Sequence, residues 1–279
     1  MAEFDKLMES VKDKSAATQK AYKVQYNKFH KLLDDDIAHA SQKKLIAIAT
    51  DEDMNTNQQQ ALLNIAILVR RLEKLDVKEL ETAREKNKKN LQENVKQNNR
   101  KIINDLPSLD DLEDFTEHLW EKGQYIDYVI NYLLINYQVR NQDLNFELVR
   151  LKRNTKDDTK NFIWLSSKGD KATYIRNIYK TANVYGKKTN VITDKKFLLA
   201  LRRIHGCQKS SLQCGVFIPN ENQVGYYIQK ATYKNLGEAK YLKIIIDANR
   251  GNLQKLKEIA ENRGTDVNTL ISSYDINNV

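Results

Sequence analysis

A chain of 279 residues, 41% hydrophobic and 30% charged, holds enough apolar material for one large core or two smaller ones beneath a strongly solvated surface. Nine Gly and two Pro exclude a turn-rich β protein and favour long helices. The formal net charge of +9 is unevenly placed: residues 151–279 carry 23 basic against 11 acidic side chains, and residues 1–150 carry 23 against 26. A basic half of this kind favours a polyanionic partner, nucleic acid before an anionic membrane.

The first predicted helix follows Ser15-Ala16-Ala17-Thr18, where Ser15 opens a cap and Tyr22, Tyr26, Phe29, Leu32 and Leu33 recur at helical spacing. Leu45 to Ala49 reads as a short apolar helix. Thr56 to Leu75 reads as a third, with Leu62, Leu63, Ala66, Ile67, Val69 and Leu72 largely on one face. Together they make a small helical bundle over residues 1–83. From 84 to 104 the chain is rich in Lys, Asn and Gln and reads as a solvated helix or basic linker.

Order resumes at Leu106-Pro107-Ser108, and residues 105–279 read as a second domain. Ser108 caps a helix bearing Leu112, Phe115 and Trp120. Tyr125 to Tyr137 is a strongly apolar core helix. It breaks around Gln138-Val139-Arg140-Asn141, after which Asp143 to Val149 reads as another helix. Then the period changes. Residues 161–166 and 172–179 read as strands, Thr181 to Lys188 as a turn carrying Gly186, and Thr189 to Ile192 as a third strand. Helices return at 194–204, 223–233, 238–248, 253–262 and 266–274. The fold class expected is mainly α with a small antiparallel sheet, in two domains.

Cys207 and Cys214 make no disulfide framework. With only His205 nearby they lack a fourth zinc ligand, so no metal site is expected. The opening residues lack the apolar core of a signal peptide. The longest apolar run, Ala61 to Val69, is broken by Asn64 and too short to span a bilayer. The expectation is a soluble, intracellular protein with no membrane partner.

Breaking a phosphodiester without a metal needs a nucleophile, cations for the pentacoordinate transition state, and an acid for the leaving oxygen. Tyrosine suits the first role, arginine the second through its planar fork, and lysine in a turn beside the phosphate the third. Tyr274, near the end of the predicted helix 266–274, is a candidate nucleophile or an ordinary packing residue.

The layout resembles the tyrosine recombinase (integrase) family, which shares its catalytic fold with type IB topoisomerases. Thr18 to Phe29 looks like the first helix of that family's core-binding domain. Tyr132 to Leu144 looks like its first-arginine box: apolar helix, sharp turn, Arg140, then Asp143 and Leu144. The strand pair with a basic turn looks like its lysine hairpin. The resemblance implies a two-domain clamp on double-stranded DNA. It implies cleavage and rejoining through a 3′-phosphotyrosine at Tyr274, without metal or nucleotide cofactor. It makes Arg140 a phosphate-binding arginine and Lys180 the general acid, with Lys168, Lys171, Lys187 and Lys188 as rivals for that role or as DNA contacts.

One part is missing. The family carries His-x-x-Arg after the sheet, and none of the four histidines here lies in such a motif. Residues 233–238 occupy that region, with Lys234 at the His position and Gly237 at the Arg position. Lys234 is expected to contact the DNA backbone, and Arg263 is the candidate replacement cation. Losing one such arginine costs roughly two to four kcal/mol of transition-state stabilisation. The pattern looks most like divergent recombinase-like proteins of large DNA viruses, acting at DNA in a nucleus, viral factory or virion. Two other functions fit the same residues: a DNA-binding packaging protein that has lost the chemistry, and a type IB topoisomerase-like relaxase. Each site residue also has a plainer role. Arg140 and Arg263 can bond helix-end carbonyls, and Glu238 can cap its own helix. The partner DNA leaves a monomer in solution and a higher oligomer on DNA both open.

Overall fold

The computed structural model describes residues 2–102, 105–208 and 223–275. The side chain of Cys207 and all of Cys214 lie outside what is described. The described residues are mostly helical with one small sheet, an α+β arrangement. It divides into two compact units, Met1–Asn99 and Arg100–Val279, with the boundary near the end of a long helix.

The first unit holds α1 (Glu3–Ser10), α2 (Ala16–Leu33), α3 (Gln42–Ala49), α4 (Thr56–Leu72) and most of α5 (Lys78–Ile102). Ser15 caps α2 by accepting from the Thr18 amide, and Asn55 caps α4. The core gathers Leu7, Phe29, Leu33, Leu45, Leu62, Leu63, Ala66, Val69 and Leu80. Leu32, expected on the buried face of α2, is instead exposed. It stands about 90° round the helix from the centre of the stripe formed by Tyr22, Tyr26, Phe29 and Leu33, at about 100° per residue. The sequence reading had no helix over α1, whose Leu7 is fully buried in this core.

The second unit opens with α6 (Leu109–Glu121), where Ser108 and Asp111 form a reciprocal capping box. Helix α7 (Tyr125–Tyr137) is the core helix the sequence indicates, with Val129, Ile130, Leu133 and Leu134 buried. Two expectations fail just beyond it. The stretch read as a helix over 143–149 is a 3-10 turn, Asn141–Leu144, followed by strand β1 (Phe146–Val149). Phe146 and Leu148 are buried on either side of the partly exposed Glu147, a period of two, and the run has a strand to pair with. The sheet is also mixed rather than antiparallel. Its order is β1-β2-β3-β4, with β2 Asn161–Leu165, β3 Ala172–Arg176 and β4 Lys188–Ile192. Strand β1 runs parallel to β2, whereas β2–β3 and β3–β4 are antiparallel. Residues 150–160, with a 3-10 turn at Lys152–Thr155, carry the chain back to the starting end, as a parallel pair demands.

Strand β3 ends at Arg176, earlier than the sequence suggests, and the following turn contains a single helical turn, α8 (Ala182–Tyr185), closed by Gly186. The remaining helices are α9 (Lys195–Gln208), α10 (Val224–Ala231), α11 (Gly237–Ala248), α12 (Leu253–Arg263) and α13 (Val267–Tyr274). Helices α6, α7, α9, α10 and α11 share a core with one face of the sheet. Leu242, Ile245, Leu256, Ile259 and Leu270 form a second core that seats α12 and α13 on α11. No helix among the described residues is long and apolar enough to cross a membrane.

Candidate active site

The last carbonyls of a helix have no intrahelical donor and carry the negative end of its dipole. At the end of α12 they are met by side chains from four other segments. Lys188 Nζ donates to the Glu261 carbonyl, and Arg140 Nη1 donates to that of Arg263. Arg176 Nη1 reaches the Asn262 carbonyl at 2.8 Å, and Thr181 Oγ1 the Gly264 carbonyl at 2.7 Å. Four consecutive carbonyls thus accept from three cations and a hydroxyl.

The local backbone explains the convergence. Gly264, at φ +62°, closes α12 with the paired bonds of a Schellman motif, Thr265 N to Ala260 O and Gly264 N to Glu261 O. A Cβ there would stand 2.8 Å from both Thr181 Oγ1 and Tyr179 Cε2, so the close approach of the β3–β4 turn requires glycine. On the other side, α7 ends at Gln138 in a left-handed conformation, φ +44°. That turn faces α12: Gln138 Oε1 accepts from Asn262 Nδ2 at 3.0 Å, and its carbonyl accepts from Arg263 Nη1 at 3.1 Å. Arg140, two residues on, is thereby aimed at the helix end.

The Arg263 side chain leaves α12 towards the same turn and is only 2% exposed. Its Nη2 lies 2.7 Å from Glu238 Oε1 and 3.4 Å from the Tyr274 hydroxyl, and its guanidinium centre sits 5.3 Å from the Tyr274 ring centroid. Glu238 Oε2 also accepts from the Asn141 amide at 2.9 Å, so one carboxylate ties α11 to both the Arg140 turn and Arg263. Tyr274 is half-buried at the end of α13, a helix capped by Asp266 accepting from the Thr269 amide. Arg140 is also half-buried. Burial first, then the neighbouring Arg263, holds its pKa below the ordinary value.

Behind this surface lies a buried pair that the sequence reading did not single out. Arg176 and Asp143 are 1% and 0% exposed with 3.5 Å between Nη1 and Oδ2. Asp143 also accepts from the Arg140 amide at 3.1 Å, and Arg176 Nη2 reaches Asn190 Oδ1 at 3.1 Å. Burial raises the Asp143 pKa, opposed by the Arg140 amide and the Arg176 charge. In the sequence Asp143 stands only as the acidic residue of the arginine box. The available signal for Arg176 was a lone cation closing the apolar strand Ala172-Thr173-Tyr174-Ile175.

The predicted lysines separate. Lys188 opens β4 opposite Arg176 and sits 5.7 Å above the rings of both Tyr179 and Tyr185. Burial first, then Arg176, lowers its pKa. Lys180 is exposed in the turn one residue before Thr181, and no contact from it to Arg140, Arg263 or Tyr274 is described. Lys187 is exposed, 4.0 Å from Asp158. Lys168 and Lys171 are exposed in the β2–β3 turn, at the opposite end of the sheet from the Arg176–Lys188 pair. Lys234, at φ +47°, is exposed with Nζ 5.0 Å above the Tyr233 ring, and it has no described contact with the cluster. Gly237 is at φ +72°, so the position where an arginine was sought is a left-handed turn opening α11.

No protein-family model and no curated protein matches the chain. Among solved structures, the crystal structure of XerA recombinase aligns over 99% of this chain and 94% of that one, at 12% identity and a TM-score of 0.40. A likeness this distant transfers no residue role.

Proposed function

We propose that the chain binds double-stranded DNA and cuts and rejoins it in the manner of a tyrosine recombinase. The observation that carries this reading is the meeting of Arg140 with Arg263, Lys188 and the Tyr274 hydroxyl around the end of α12, the last three from the strongly basic half of the chain. In this scheme the Tyr274 hydroxyl gives its proton to water as its oxygen attacks phosphorus, forming a 3′-phosphotyrosine while the bond from phosphorus to the 5′ oxygen breaks. Arg140 and Arg263 neutralise the pentacoordinate phosphorus. Lys188, in place of Lys180, gives its proton to the leaving 5′ oxygen; a lysine with a lowered pKa is the better proton donor. Religation reverses each transfer. Lys168, Lys171, Lys187 and Lys234 serve as backbone contacts, giving an affinity that falls with salt.

A second reading, a DNA-binding packaging protein without chemistry, is favoured by one observation. Arg263 is nearly buried and already bonded to Glu238 and the Gln138 carbonyl. A nicked suicide duplex separates the two. The recombinase reading expects a covalent protein–DNA adduct with the unaltered chain and none with Tyr274→Phe. Tight, salt-sensitive binding with no adduct on varied sequences leaves only the packaging reading.

A further inference from the structure

The cations of the candidate site are not waiting in solvent. Lys188, Arg176 and Arg140 each hold a carbonyl of the last turn of α12, and Thr181 holds the next. Arg263 is 2% exposed and latched to Glu238, with Tyr274 lying over it. Arg140 Nη1 and Lys188 Nζ already donate to carbonyls of the helix end, so a phosphodiester competes with those carbonyls for the same donors. A helix C-terminus presents about half a negative charge, whereas a phosphodiester presents a full one. The same donors therefore suit both, and the phosphate is the stronger acceptor.

Resting on the recombinase reading, we infer that the C-terminal turn of α12 is a built-in stand-in for the DNA phosphate, and that the described conformation is self-capped. DNA binding exchanges the Arg263 and Glu261 carbonyls for phosphate oxygens on Arg140 and Lys188. The exchange withdraws two of the constraints on residues 260–275, the segment that joins Arg263 to Tyr274. Beyond those two bonds, that segment is tied to the rest of the unit by Thr181, by Arg263 on Glu238 and the Gln138 carbonyl, by Asp275 beside Arg250, and by the small core on α11. Tyr274 becomes free to approach phosphorus only when the competing acceptor has left. The site thus holds its nucleophile in check until a phosphate arrives.

Amide hydrogen exchange with a short linear duplex tests this directly. The expected result is faster exchange at Gly264, Thr265 and along α13 when duplex is bound, while the basic surface of the same unit slows. A duplex that binds with salt-dependent affinity yet leaves exchange over 260–275 unchanged or slower overturns the inference and leaves the DNA-binding reading standing. Failure of any duplex to bind overturns both. A variant outside the catalytic groups gives a second readout. Thr181→Val removes one bond that holds the stand-in, so it is expected to tighten duplex binding about threefold to fivefold. Equal or weaker binding by a folded Thr181→Val chain contradicts the inference.

Discussion

The turn between β2 and β3 holds Lys168 and Lys171 in solvent, whereas the turn between β3 and β4 leads into Lys188, half-buried among two tyrosine rings and a helix end. In the sequence the two turns look alike, each a short basic stretch beside an apolar strand. What separates them is the direction of strand pairing. Because β1 and β2 run parallel, β2 starts at the end of the sheet where Arg140 and the 3-10 turn lie, and finishes at the other. The first hairpin turn is therefore carried away from Arg140, and the antiparallel return of β3 brings the second turn back to it. A crossover of about a dozen residues between β1 and β2 decides which lysine stands beside the arginines.

The strongest perturbation of the second region removes the buried pair beneath it. Asp143→Ala leaves Arg176 charged and unpaired at 1% exposure, and is expected to lower stability by about 3–5 kcal/mol in urea titration. A loss below 1 kcal/mol would mean that Arg176 finds water, and that the site's floor is looser than drawn here. Gly264→Ala comes next. A side chain at φ +62°, crowding Thr181 and Tyr179, is expected to cost about 2 kcal/mol and to raise hydrogen exchange at the β3–β4 turn. The matching change in the first region is the weakest. Lys168→Met with Lys171→Met is expected to leave stability within about 0.5 kcal/mol. It should flatten the salt dependence of duplex binding by about one unit of slope per lysine that touches a phosphate.

Much of the fold was legible because its signals are local. Ser15 and Ser108 announce their helices as caps, and the apolar run Tyr125–Tyr137 has the length of the helix it forms. The break after Tyr137 was legible too, and Gln138 is indeed left-handed. The strand at Phe146–Val149 is not legible because four residues after an acidic turn satisfy either period, and only the partner β2 decides between them. The same limit applies to the site. Arg140, Arg263 and Tyr274 could be named as candidates through the resemblance to the recombinase family. Arg176 and Thr181 could not, because their partners are carbonyls of α12 some 80 residues further on, and no side-chain pattern marks a backbone acceptor.

The proposed chemistry belongs to the helix-end cluster and not to the β2–β3 turn. Covalent trapping on a nicked duplex, run in parallel for Lys188→Met and Lys168→Met across pH, tests it most directly. Lys188→Met is expected to lower the trapping rate about a hundredfold, and Lys168→Met by less than about threefold. In the unaltered chain the rate should fall as pH rises, because the donor must be protonated. Its alkaline limb should lie below that of an ordinary lysine, since burial and Arg176 hold the Lys188 pKa down. The contrary outcome is a hundredfold loss in Lys168→Met with Lys188→Met unaffected, which would return the proton donor to the solvated turn.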